Sequence, residues 1–462
     1  MSWLPDIHFE ISERKILLRL FDVVFIFLFL IVVSNSFSFD YFIITEARWT
    51  WTIILALYFS LFASIFELYD LQKAASFQTT LKNIVLTVSV TVLFYLLTPY
   101  YTPVLPENRL QIVFFFVAMV LGLIVWRYAY IGLISAPRFN KRVFVVGDSY
   151  NINGIVKNLH LADPNYRVVG YVNTDNASIE ATDKTMKAVK VENLTEAIKT
   201  NGISEIVVAS ATAGVSYPLY TQLITLLEGG FPIREYTQVY EEITKRVPVQ
   251  HVEKDFYKYF PFSRSSKNRF YLFFHRFFDI VFAVAAIFFS ILLLPFILFG
   301  NIIANRGPLL YFQQRVGRNG IPFNIVKFRT MIIDAEDNGA QWTVIGDKRV
   351  TKFGKFLRHS RLDELPQCFN VLKGEMSFIG PRPERPVFVT ELSKEIPFYE
   401  TRHIIKPGLT GWAQVMGRYG SSQDDALEKL QYDLYYIKHR NIFLDLNIVL
   451  KTISTVLYYR GQ

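Results

Sequence analysis

The sequence predicts a membrane protein in three parts: an α-helical bundle, an α/β domain, and a second mixed α/β region that opens with one more apolar helix. Three observations carry this. Four long apolar runs fall within residues 1 to 140, short β-branched runs alternate with helical stretches from Lys141 to about Pro248, and a fifth apolar run, Phe277 to Phe299, precedes a basic segment punctuated by Gly and Pro. Composition agrees: 51% hydrophobic and 16% aromatic residues with a mean hydropathy of +0.25 exceed what an ordinary soluble chain carries. A length of 462 residues suits two or three domains. The single cysteine, Cys368, excludes an intrachain disulfide and fits a reducing compartment, and its neighbours Pro366 and Phe369 predict burial. A net charge of +9 suits anionic lipid, nucleotide or nucleic acid, and no nucleic-acid-binding motif is present.

The first four runs, Ile16 to Val33, Trp51 to Phe66, Ile84 to Leu97 and Leu110 to Ile134, are each long enough, or nearly so, to cross a hydrocarbon core of about 30 Å. Glu13, Arg14 and Lys15 precede the first, and no small-residue cleavage site follows it, so it reads as a retained helix. Arg14, Lys15, Arg19, Lys73, Lys82, Arg127, Arg138, Lys141 and Arg142 fall on one side of the bundle, against Arg48 and Arg109 on the other. The first side is therefore cytoplasmic, and both ends of the bundle face it. Trp49, Trp51, Tyr100, Tyr101 and Trp126 stand where interfacial anchors would, with packing between helices as the alternative for each.

Residues 141 to 250 read as a Rossmann-like domain, with RVFVVG, YRVVGYV and EIVVAS as strands. Gly147, Asp148, Ser149 and Gly154 resemble the opening of a nucleotide-binding unit, but GDSYNING lacks the G-x-G-x-x-G spacing that lets backbone approach a pyrophosphate. A nucleotide site and a structural or regulatory module both remain open. Residues 251 to 276 hold Arg264, Lys267, Arg269, His275 and Arg276 among Phe260, Phe262, Phe270, Tyr271, Phe273 and Phe274. They read as a linker lying on an anionic membrane surface, or as a plain linker.

The chemistry concentrates between Arg358 and Pro383, RHSRLDELPQCFNVLKGEMSFIGPRP. Asp363 and Glu364 are adjacent carboxylates among Arg358, Arg361, Lys373, Arg382 and Arg385, stiffened by Pro366, Pro381 and Pro383. One carboxylate can attack phosphorus, a neighbour can hold Mg²⁺, and guanidinium forks can neutralise a transferring phosphoryl group. A structural salt-bridge cluster is the alternative for the pair taken alone.

LDELPQ, then NVLKGEMSFIGPRP (Asn370 to Pro383) and KPGLTGWAQV (Lys406 to Val415), resemble the bacterial sugar transferase family, the polyprenyl-phosphate glycosyl-1-phosphate transferases, from about Arg269 to Gln462. The resemblance implies the large polytopic form: a mixed α/β monotopic catalytic domain over residues 305 to 462, with a re-entrant membrane helix over 277 to 304. It makes Asp363 the nucleophile, has Glu364 and Asp363 hold Mg²⁺, and assigns Lys327, Arg329, Arg358, Arg382 and Arg418 to phosphate binding. Re-entrance keeps Gly300 onward on the cytoplasmic side, where nucleotide-activated sugars are, and Pro295 favours the bend. Some members place Ser and Pro side by side there; here Ser290 and Pro295 are separated by Ile291 to Leu294. Met416 stands where members commonly carry Asn.

Gln313 to Met331 reads as two strands joined by a Gly-containing turn, with Lys327 and Arg329 on one face and Phe328 on the other. Lys406 to Gly417 reads as a rigid loop with Trp412 and Gln414. Asp424 to Lys438 and Ile442 to Tyr459 read as amphipathic helices, the second lying on the membrane surface. From Asn305 onward, 23 Lys and Arg face 16 Asp and Glu, an excess that suits an anionic donor and an anionic lipid. His359 and His403 have no partner at metal-binding spacing.

The implied activity is transfer of sugar-1-phosphate from a UDP-sugar to polyprenyl phosphate, releasing UMP, at the cytoplasmic face of a bacterial inner membrane. Membrane lipids are partners, nucleic acid is not, and a homodimer is compatible. A glycosyltransferase that releases UDP and a non-catalytic assembly scaffold are the two other classes. The resemblance suggests glucose or galactose without choosing between them.

Overall fold

The computed structural model describes residues 11–37, 41–42, 49–74, 77–133, 141–147, 149–163, 166–174, 186–209, 216–249, 268–336, 339, 341, 346–417 and 423–458. They form two compact units, Met1–Thr244 and Lys245–Gln462.

The first unit begins with helices α1 (Ile11–Ser36), α2 (Trp49–Ile65), α3 (Leu71–Ala74), α4 (Phe77–Leu97) and α5 (Leu110–Leu133). Buried residues recur every fourth position: Leu55, Phe59 and Ala63 on α2, Ile84, Val88 and Val92 on α4, and Phe115, Met119 and Leu123 on α5. That spacing puts each set on one helical face. The opposite faces carry Leu57, Leu61, Val85, Leu93, Val117, Leu121 and Val125, exposed and equally apolar. A helix apolar all round belongs in lipid. Glu13–Ser36, Phe77–Leu97 and Leu110–Gly132 are long and apolar enough to cross a membrane, and Trp49–Ile65 is a shorter apolar helix. Gly122 lets α1 and α5 approach closely, because a Cβ there would stand 2.6 Å from the Phe25 carbonyl oxygen. Trp126 is buried and stacks on Phe21 and Phe25, so it packs between helices; Trp49, Tyr100 and Tyr101 are exposed. Arg127 and Asp22, both fully buried, pair at 2.5 Å.

Strands β1 (Lys141–Gly147), β2 (Tyr166–Asn173), β3 (Lys187–Ala188), β4 (Glu205–Val208) and β5 (Ile233–Glu235) form a parallel sheet in the order β3-β2-β1-β4-β5. This is the doubly wound order. Helices α6 (Ser149–Ala162), α7 (Leu194–Asn201), α8 (Tyr217–Glu228) and α9 (Tyr236–Thr244) cover it. Alternation splits the strands between two cores: Val143, Val145 and Val207 pack with Ile152, Leu159 and Val239, whereas Phe144, Val146 and Ile206 pack with Leu194, Ile198 and Leu219. Arg14 at the start of α1 pairs with Asp163 just past α6 at 3.0 Å. Asp148, in the first strand-to-helix turn, lies outside the described residues.

In the second unit, residues 245 to 249 act as a strap across the fold. Val247 and Val249 are buried, Val247 N donates to Gln431 O at 3.1 Å, and Trp412 Nε1 donates to Lys245 O at 3.1 Å. The division between the two units falls just before this strap, at Thr244.

Helix α10 (Arg269–Gly300) starts eight residues before the apolar run, because the Asn268 side chain caps it by accepting from Tyr271 N at 3.1 Å. It continues through Pro295 and ends in one wide turn, Asn301–Asn305. One side is packed along the whole length. Tyr271 OH donates to Asp445 at 2.8 Å, Arg276 donates to Val371 O and Leu372 O at 2.7 and 2.9 Å, and Asp279 accepts from Ser377 Oγ and Phe378 N at 2.9 and 2.8 Å. Farther on, Ala283 packs with Ile325 and Val371, Ile297 with Phe328 and Leu357, and Gly300 against the Phe353 ring. The other side is exposed and apolar, with Phe273, Phe277, Val284, Phe288, Ile291, Leu292 and Phe299.

The remainder is β6 (Leu310–Val316), β7 (Pro322–Phe328), α11 (Lys352–His359), α12 (Cys368–Lys373), β8 (Ser377–Ile379), α13 (Pro386–Glu395), β9 (Gly408–Thr410), α14 (Trp412–Met416), α15 (Gln423–His439) and α16 (Ile442–Leu457). β6 and β7 are the expected hairpin. The expected rigid loop at Lys406 to Gly417 contains a strand and a short helix, because Ser377 and Ile379 give β9 a parallel partner. α16 buries Ile448 and exposes Phe443, Leu446 and Leu457, an amphipathic arrangement. Cys368 is buried.

Candidate active site

The carboxylate pair sits on a single 3₁₀ segment, Leu362–Gln367, between α11 and α12. Arg361 precedes it with φ 57°, a left-handed conformation uncommon outside glycine, and this turns the chain sharply into the pair. Leu362 and Leu365 pack toward Phe328 and Leu357, while Asp363 is buried at 7% exposure. Asn370 ties the segment to the hairpin: its Nδ2 donates to Asn324 O at 2.8 Å and its Oδ1 accepts from Val326 N at 3.3 Å. Lys327 is the next residue along β7 after Val326, and its Nζ stands 3.6 Å from Glu364 Oε1.

Glu364 is enclosed by cations. Arg382 reaches Oε1 at 2.9 Å and Arg361 reaches Oε2 at 3.3 Å. Burial opposes the charge on Glu364, but Arg382, Lys327 and Arg361 outweigh it and hold the carboxyl well below its ordinary value. Asp363 differs. Burial and then the neighbouring Glu364 charge raise it above the ordinary carboxylate range, against Lys327, Arg358 and Arg361. Among the described residues its carboxylate accepts no hydrogen bond. Burial also pushes Lys327 down to about 8, although Glu364 favours its charge.

Arg382 lies in a loop with four consecutive carbonyls held. Gly408 N donates to Pro381 O at 2.9 Å, Arg402 Nη2 to Arg382 O at 3.1 Å, Arg315 Nη1 to Pro383 O at 3.1 Å, and Val316 N to Glu384 O at 2.9 Å. Arg402 is itself fixed, buried against Asp433 at 2.7 Å. Arg358 donates through Nε to Thr330 Oγ1 at 2.9 Å. That contact needs Gly354, since a Cβ there would collide with the Thr330 carbonyl.

The fold therefore gathers Asp363, Glu364, Lys327, Arg358 and Arg382. Among the described residues Arg329 pairs with neither carboxylate: its Nε donates to Pro308 O at 3.0 Å and its guanidinium lies over Tyr311, the residue of β6 opposite Lys327. It follows the last residue of β7, so strand alternation no longer controls it. Arg418 lies outside the described residues. Arg361 was visible in the sequence only as one charge of the surround. Arg402, Arg315 and Asn370 act through backbone carbonyls and amides distant in sequence, which no spacing rule records.

The two carboxylates are hard oxygen donors of the kind Mg²⁺ takes, with waters and substrate phosphates filling its other positions. A carboxylate offers about four acceptor sites, so the three cations at Glu364 leave room for one more, and the Asp363 carboxylate is unengaged. The pair fits the ion. Among the described residues, no group of three or more His, Cys, Asp or Glu could hold a metal.

Residues 270–459 match the family model "Bacterial sugar transferase", and residues 64–213 match "CoA-binding domain". A UDP-N-acetylgalactosamine-undecaprenyl-phosphate N-acetylgalactosaminephosphotransferase from Aeromonas hydrophila is 44% identical over 227 residues, 49% of this chain and 52% of that one. A UDP-glucose:undecaprenyl-phosphate glucose-1-phosphate transferase from Xanthomonas campestris pv. campestris is 44% identical over 158 residues, 33% of this chain and 32% of that one. A provisionally named undecaprenyl-phosphate N-acetylgalactosaminyl 1-phosphate transferase from Bacillus subtilis (strain 168) is 48% identical over 144 residues, 30% of this chain and 79% of that one. The chain spans about half the length of the first relative and about a third of the second. It belongs to the bacterial sugar transferase family.

Proposed function

We propose that the chain transfers a sugar-1-phosphate from a UDP-sugar to a polyprenyl phosphate, releasing UMP, as the first membrane step in making a surface polysaccharide or glycoconjugate. The observation that carries this reading is the asymmetry of the pair: Glu364 is neutralised by three cations, whereas Asp363 is buried beside them with an unengaged carboxylate. An Asp363 oxygen attacks the β-phosphorus of the donor, the bond to the UMP oxygen breaks, and a sugar-phosphoryl aspartate forms. The phosphate of the lipid then attacks the same phosphorus, and the Asp363 carboxylate leaves. Each step exchanges one activated phosphorus–oxygen bond for another, so positioning and charge neutralisation by Lys327, Arg358 and Arg382 dominate. Asp363 and Glu364 would hold Mg²⁺, which supplies neutralisation of the donor diphosphate.

The catalytic unit works at the cytoplasmic face of a bacterial inner membrane, and α10 enters the bilayer and returns on the side it entered. Supporting this, Arg276 near one end and Gly300 at the other both pack on the same globular fold, leaving a single apolar side for lipid.

The test is nucleotide release from full-length protein in detergent with Mg²⁺, polyprenyl phosphate and a panel of UDP-sugars. UMP is expected from one donor, and Asp363→Asn reduces it by about a thousandfold or more. UDP in place of UMP, or equal UMP from the variant, would overturn the reading.

A further inference from the structure

Beside the carboxylate pair, four hydrogen bonds converge on one other carboxylate. Glu336 Oε1 accepts from Tyr311 OH at 2.8 Å, Gln313 Nε2 at 3.0 Å and Arg385 Nη1 at 3.2 Å, and its Oε2 accepts from Arg385 Nη2 at 3.1 Å. The donors belong to the fold. Tyr311 and Gln313 lie on β6, Tyr311 pairs across the hairpin with Lys327, and Arg385, at 16% side-chain exposure, immediately precedes α13. Glu336 is the outer member at 40%. Arg315 braces the arrangement from behind, donating to Gln313 Oε1 at 2.6 Å and to Pro383 O at 3.1 Å, and its Nε is buried without an acceptor.

An exposed ion pair contributes little to stability, yet this one receives a bidentate guanidinium, a phenol and an amide. That donor set is the one a phosphate takes. The site is linked to the pair through the hairpin, since Tyr311 pairs in register with Lys327, whose Nζ stands 3.6 Å from Glu364.

We propose that Tyr311, Gln313 and Arg385 form a second phosphate subsite, and that Glu336 is its intramolecular occupant, displaced when a phosphate monoester or diphosphate binds. This rests on the phosphoglycosyl-transfer reading, which brings two phosphate-bearing molecules to one site: the nucleotide donor and the lipid acceptor. Their chemistry at this subsite is shared. A phosphate carries up to about two negative charges near neutral pH and displaces a single carboxylate. Turnover would then begin with release of Glu336 from Arg385.

The experiment is titration of full-length protein in detergent with inorganic phosphate, followed by calorimetry, for wild type, Glu336→Gln, Glu336→Ala, Tyr311→Phe and Arg385→Gln, with Tm as a folding check. Both Glu336 variants are expected to bind phosphate about three- to tenfold more tightly, because an occupied site reduces apparent affinity by the competent fraction. Tyr311→Phe and Arg385→Gln weaken binding by a similar factor. Unchanged or weaker binding in both Glu336 variants, at unchanged Tm, overturns the proposal. KM values taken separately for UDP-sugar and polyprenyl phosphate identify the source, since the ligand using the subsite shows the lowered KM in Glu336→Gln. Should wild type turn over no donor while phosphate affinity still rises in the Glu336 variants, the transfer reading fails and the subsite stands.

Discussion

Lys327 and Asp363 set opposite limits on the pH at which this site can work. Asp363 must be ionised to attack, and its carboxyl titrates above the ordinary range, so activity falls on acidification before ordinary carboxylates protonate. Lys327 must carry its proton to neutralise phosphate, and burial brings it down to about 8, so activity falls as pH rises through that value. We expect a bell-shaped profile of kcat/KM. Lys327→Arg should move the alkaline limb upward, because a guanidinium stays charged, while Lys327→Met lowers kcat/KM by about a hundredfold or more. An alkaline limb left in place by Lys327→Arg would remove Lys327 from this role. At this scale Asp363, Glu364, Lys327 and Arg382 were legible, because side-chain chemistry and adjacency are written in the chain. Arg402 was not, because it acts on the Arg382 carbonyl from a position 20 residues away.

The decisive elements are two loops that touch backbone to backbone. Gly380 N donates to Thr410 O at 2.9 Å, and a Cβ on Gly408 would stand 2.6 Å from Thr410 O and 2.7 Å from Gly380 Cα. No flexible side chain can yield there. Gly408→Ala should therefore part β8 from β9, cost about 1–3 kcal/mol of stability, and reduce activity by moving Arg382 relative to Glu364. A thermal melt read beside kcat checks this, and a variant with wild-type Tm and kcat would show that the approach is not needed. The sequence marked both segments as Gly- and Pro-rich, but it could not show that they pair with each other: the partners are 31 residues apart, and parallel pairing leaves no turn signal. The start of α10 was missed by eight residues because a polar cap, not apolar character, begins that helix.

Sidedness belongs to the molecule as a whole. Glu107 is exposed between α4 and α5, and Lys394 is exposed on α13. In cells whose outer barrier has been opened, a membrane-impermeant maleimide should label Glu107→Cys, whereas Lys394→Cys should label only after lysis; the native Cys368 is buried and stays silent. Labelling of Lys394→Cys before lysis would mean that α10 crosses the membrane. The bundle helices, the strands of the sheet and the chemical identity of the carboxylate pair are legible along the chain, because apolar periodicity, β-branched runs and side-chain chemistry are local properties. The packing of α10 along its whole length, the turn of Arg361 toward Glu364 while Arg329 lies over Tyr311, and the seating of Glu336 among donors suited to phosphate emerge with the fold. Those outcomes depend on hydrogen bonds and contacts between residues far apart in the chain, whose geometry exists only once the backbone has folded.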